Sequence, residues 1–172
     1  MVGGQTMITA AFFVLLIASV ITANRMIGDS TATTYEGDAR NLAVDIARSV
    51  INEVYRLRYD ENTADSTYQA TTAFTPAASL GPDAGETVSP SPDVVPFQSY
   101  TKFDDVDDYN GYSRTVNAGS LPGFSVTVAV YYVDENTYAE TSTRTYLKRI
   151  DVSVEQSTYL KTKVMYSKLV TH

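Results

Sequence analysis

The chain opens with an apolar run. No charged side chain occurs in residues 1–24, and the dense stretch 7–23 is interrupted only by Thr9, Ser19 and Thr22. Hydroxyls of this kind can return to carbonyls of their own helix, so they do not end one. At about 1.5 Å per residue, residues 1–24 make a helix of roughly 36 Å, enough to cross a hydrocarbon core. Asn24-Arg25 marks the polar boundary. Over 26–37 the helical signal weakens, because Gly28, Gly37 and several threonines have low helix propensity. It resumes over 41–58, where Leu42, Ala43, Ile46, Ala47, Val50, Ile51, Val54 and Leu57 form one stripe at the helical period. Arg40, Asp45, Arg48, Asn52, Glu53 and Arg56 lie mainly off that stripe. An apolar half-helix (1–24) is thus followed by an amphipathic one (25–61). The first needs lipid or other subunits around it, and the second needs a globular domain on one face.

Residues 62–102 read as a Pro/Ser/Thr-rich loop, with Pro76, Pro82, Pro90, Pro92 and Pro96 breaking any regular element. A loop this long inside a compact domain predicts either a surface segment that packs between subunits or carries glycans, or a linker. No Asn-x-Ser/Thr sequon occurs, so a glycan would be O-linked, to residues such as Thr71, Thr75 or Ser79. Three strands are expected after it: 124–133 (FSVTVAVYYV), 146–154 (YLKRIDVSV) and 159–170. In the second, Lys148, Ile150, Val152 and Val154 alternate with Leu147, Arg149, Asp151 and Ser153. The polar turns Asp134-Glu135-Asn136 and Glu155-Gln156-Ser157 suit antiparallel pairing. The expected fold class is α+β: a long N-terminal helix whose amphipathic half packs on a C-terminal antiparallel sheet, with residues 103–172 supplying an acidic turn and that sheet.

Composition then removes whole classes of chemistry. With no cysteine there is no disulfide, thiolate metal site or cysteine nucleophile. The one histidine is His172, the last residue of the sequence, which cannot serve as a triad base held by an orienting partner or build a multi-His metal site. A formal net charge of −7 disfavours nucleic acid as a partner. Phosphate-binding Gly loops and G-x-S-x-G elbows are absent, and no enzymatic activity is expected.

One cluster carries candidate chemistry. In FDDVDDYNGY (103–112), Asp104, Asp105, Asp107 and Asp108 place four carboxylates within five positions. Carboxylate oxygens suit a hard cation such as Ca²⁺, although EF-hand spacing is not met: Tyr109 and Asn110 stand where a ligand and a glycine belong. The other reading is a solvated turn, with Asn110-Gly111 as its corner and the aspartates capping local N–H groups. Four carboxylates this close need such donors, a nearby base such as Lys102 or Arg114, or the cation. No other cofactor is expected.

The N-terminal run allows three readings. A cleaved secretory signal would have a basic n-region, which is missing here. A single-pass anchor of a ligand-binding ectodomain is the second. The third is a pilin-type helix that sits in the membrane first and in a filament core later. The apolar helix running into an amphipathic one, the FDDVDDYNGY segment, and the YLKRIDVSV-type strand with a closing strand after it resemble type IV pilin-like proteins. The likeness is nearest to minor pilins of the mannose-sensitive haemagglutinin type, in which such an acidic segment recurs. It covers about two-thirds of the chain and leaves out the proline-rich loop.

The resemblance implies a prepilin leader removed by a peptidase, an N-methylated first residue, and an extracellular homo-oligomeric filament drawn from an inner-membrane pool by pilus assembly machinery. Helical packing would then run through Met1, Gln5, Ile8, Phe12, Phe13, Leu15, Leu16, Ile17, Val20 and Ile21. Either Met1 is the mature N-terminus, the favoured reading, or Gly4 ends an atypical leader and Gln5 comes first. Both lack the family glutamate, and the disulfide-closed loop of many pilins is missing too. A pseudopilin-like part of a secretion or DNA-uptake machine is the alternative role within the same resemblance.

Overall fold

A computed structural model describes residues 2–63, 69–86 and 102–172. Helix α1 spans Val2–Val54, and four strands follow: β1 (Ser113–Ala118), β2 (Leu121–Tyr132), β3 (Leu147–Glu155) and β4 (Val164–Thr171). The sheet has the order β1-β2-β3-β4, every neighbouring pair being antiparallel. The α+β layout expected from the sequence is therefore present. The chain divides into two units, Met1–Asp38 and Ala39–His172.

In the first unit the helix continues through 26–37 despite its glycines. Thr31, Thr33 and Thr34 donate their hydroxyls to the carbonyls of Ile27, Asp29 and Ser30, the same back-bonding that Thr9, Ser19 and Thr22 make earlier in the helix.

The second unit has its own core. From the helix it takes Ala39, Ala43, Ile46, Ala47, Val50, Ile51 and Val54, the stripe read from the sequence. The sheet supplies Phe124, Val126, Val128 and Val130 from β2 and Ile150, Val152 and Val154 from β3, alternate residues on one face. Register places Val126 opposite Val154 and Tyr132 opposite Lys148.

Several expectations change in detail. Residues 159–163 lie outside any strand, and β4 begins at Val164. The Asp134 segment is not a tight hairpin turn: Asp134 Oδ1 accepts the Asn136 and Thr137 N–H groups, Val133 pairs with Glu140, and the chain only then returns to β3. The described part of the long loop, 69–86, lies on the core. Phe74 is buried there, and the hydroxyls of Tyr132 and Tyr146 donate to the carbonyls of Thr75 and Gln69. Thr75 is itself buried, which removes it as a glycan acceptor. Pro90, Pro92 and Pro96 lie outside the described residues.

Candidate functional site

Two features could carry function, and they lie in different units. The first is the surface of α1. All the large apolar side chains described from Met7 to Ile27 are exposed, Met7 at 78% and Leu16, the least open of positions 12–17, at 46%. Ile8, Phe12, Phe13, Leu15, Ile17, Val20 and Ile21 belong to this set, while Met1 lies outside the described residues. The carbonyl of Gln5 accepts the Thr9 hydroxyl. The helix is long and apolar enough to cross a membrane, and none of its most apolar window is buried. Apolar surface this continuous is rarely left facing water.

The second feature lies in the head. After Val54 the chain turns, and Arg58 forms a parallel bridge to Asp105, whose successor Val106 donates its N–H to the Arg58 carbonyl. This pairing sets the end of the helix against the acidic segment. Asp105, Asp107 and Asp108 are buried there, so the segment is not the solvated turn that its composition allowed. Its capping role does hold. Asp105 Oδ1 accepts the N–H groups of Asp107 and Asp108, and its Oδ2 accepts that of Glu61 at 2.6 Å. Asp108 Oδ2 accepts the N–H groups of Asp104 and Asp105. Gly111 supplies the expected corner at φ +79°.

Lys148 lies at the centre. It is fully buried on β3, and its Nζ donates to Asp107 Oδ1 at 2.6 Å, to the Tyr59 carbonyl at 2.7 Å and to Asp60 Oδ2 at 3.3 Å. The rings of Tyr59 and Tyr132 stand 4.5 and 5.3 Å from it. Asp60 is fully buried as well and also accepts the Thr75 N–H. One ammonium therefore stands between two buried carboxylates, Asp60 and Asp107. Burial, and after it the Asp107 charge, pushes Asp105 up to about 9. Burial likewise pushes Asp108 up to about 7 and Glu61 up to about 7.

Among the described residues, two trios of carboxylates bring oxygens within 4.8 Å of one another: Glu61, Asp104 and Asp105, and Glu86, Asp104 and Asp108. An all-oxygen donor set of this kind suits Ca²⁺. Three of the four predicted residues take part. Asp107 belongs to neither trio and has Lys148 as its partner. The bases expected nearby are engaged elsewhere, Lys102 with the Gly85 carbonyl and Arg114 with Glu53 at 3.5 Å. Asp60, Glu61, Glu86 and Lys148 were not foreseen. Only Lys148 left a signal, since alternation along β3 puts it in phase with Ile150, Val152 and Val154. No protein-family model, curated protein or solved structure matches this chain.

Proposed function

We propose that this chain is a structural subunit of an extracellular type IV pilus-like filament, held in the membrane by α1 before assembly. One observation carries the reading: an N-terminal helix exposes apolar side chains all along residues 7–27, while the head has a separate core of its own. Such a helix needs an apolar environment, which lipid supplies first and the helices of other copies supply in a filament. The sequence resemblance to pilin-like proteins names the same arrangement.

The test is electron microscopy of filaments sheared from the cell surface, with mass spectrometry to identify this chain in them. The expected result is filaments that contain the chain and are lost in a Phe13→Asp variant, whose buried charge costs at least several kcal/mol without a partner. A chain that stays in the membrane as a monomer, with no filament containing it, overturns the proposal in favour of a single-pass anchor. Short assemblies confined to the envelope would favour a pseudopilin role instead.

A further inference from the structure

The Lys148 centre holds an amine and two carboxylates in contact and out of water. Its nitrogen is fully buried, 2.6 Å from one carboxylate oxygen of Asp107, with a second buried carboxylate, Asp60, 3.3 Å from the same nitrogen. Asp107 is 3% exposed, and tyrosine rings close over the amine. We propose that Lys148 and Asp107 are joined by an intramolecular amide bond between Nζ and Cγ, formed by the folded chain itself with Asp60 as proton carrier. The inference does not depend on filament formation.

The step balances without a co-reactant. The Lys148 ammonium passes a proton to the Asp60 carboxylate, and the freed amine attacks Cγ of Asp107. Nζ already lies 2.6 Å from Oδ1 of that carboxyl, so the attack needs the flexible Lys148 side chain to close on Cγ. The tetrahedral centre passes its second nitrogen-bound proton to one of its own oxygens, Asp60 returns the first proton to the same oxygen, and that oxygen departs. One water leaves, one Cγ–O bond is exchanged for one C–N bond, nothing is oxidised or reduced, and Asp60 ends as it began. The remaining amide N–H keeps the Tyr59 carbonyl as an acceptor.

Two physical terms favour this here over the same pair in water. Burial makes a separated ammonium and carboxylate costly, and condensation removes both charges at once. Fixed contact replaces a bimolecular encounter, a gain that well-aligned groups turn into very high effective concentrations. The product would tie β3 to the turn at Asp107 and enclose β1 and β2 in a covalent loop, in a chain without cysteine to make a disulfide.

Mass spectrometry of the full-length chain, extracted in detergent and digested with trypsin after denaturation, decides the matter. The expected result is a single branched species that joins the peptides containing Asp107 and Lys148, lighter than their sum by one water and uncut after Lys148. Lys148→Arg should abolish it. In Asp60→Asn, with the fold checked by circular dichroism, linkage should slow by roughly a hundredfold or more, the usual share of a general acid–base group. Two linear peptides of full mass overturn the bond and leave a plain ion pair. Water loss confined to the Asp107 peptide, a cyclic imide, overturns it equally. Linkage at an unchanged rate in Asp60→Asn removes Asp60 from the step.

Discussion

Asp105 holds three backbone N–H groups in place while standing close to Asp107 and Asp108. That position has a pH consequence. Burial is the first cause that pushes Asp105 up to about 9 and Asp108 and Glu61 up to about 7, against about 4 for such groups in an unfolded chain. The folded state therefore keeps protons that the unfolded state releases. The stability this gives is complete below about pH 4 and is lost as pH rises through about 7 and then about 9. Asp151 acts in the opposite sense: burial opposes its ionisation, but hydrogen bonds from Ser167, Tyr131 and Arg149 prevail and lower it, so its effect falls below that window. The urea midpoint of the head should be lower at about pH 8 than at about pH 5; a midpoint that rises with pH would contradict the buried placement of Asp105. At the same centre, compared with the chain in its ion-paired, unlinked state, Lys148→Met leaves Asp60 and Asp107 buried without their cation. The expected loss is about 3–5 kcal/mol, read from denaturant unfolding. A loss under about 1 kcal/mol would mean that water reaches the centre.

At the level of elements, the helix stripe and the alternation of β2 and β3 were legible because each buries one face against the other, and burial imposes the period. Ile51 shows what that contact is worth. It is 1% exposed within the common core, and Ile51→Ala should cost about 2–5 kcal/mol in urea unfolding of the head. A near-neutral substitution would mean that the helix does not cover the sheet. Strand β1 was not legible, because SRTVNA at the sheet edge buries none of its residues fully and so leaves no apolar period. Asp60 and Glu86 were equally hidden, since only tertiary pairing brings them to a segment some 20 to 50 positions away in sequence. The stretch 26–37 looked weak but is regular helix, and its threonine hydroxyls turn back onto carbonyls one turn earlier. Neighbouring subunits could supply other partners to its backbone. The expectation for a filament is that part of residues 19–37 leaves regular helix, as glycine and threonine make opening cheap. An unbroken helix from Ile8 to Val54 in a filament map would refute it.

For the whole molecule, the division into Met1–Asp38 and Ala39–His172 bears on how the chain must be handled. Among the described residues the buried core belongs to the second unit: it runs from Ala39 on the helix to Val170 on β4 and includes Phe74 from the loop. The exposed apolar side chains of α1 from Met7 to Ile21 belong to the first and contribute nothing to that core. Folding of the head should therefore not depend on residues 1–24, whereas solubility should depend on their removal. A chain starting at Arg25 is expected to be monomeric in detergent-free buffer, to give a mixed helix and strand circular dichroism spectrum, and to melt in one cooperative step, as a single core of this size should. The full chain is expected to need detergent or lipid, since its apolar run is long enough to span a membrane. The two results must be read together. A soluble truncated head beside a detergent-dependent full chain would place all the demand for apolar surroundings in the N-terminal helix. If the truncated chain instead aggregates and shows no strand signal, the head draws stability from residues 1–24, and the core assigned to Ala39–His172 is incomplete.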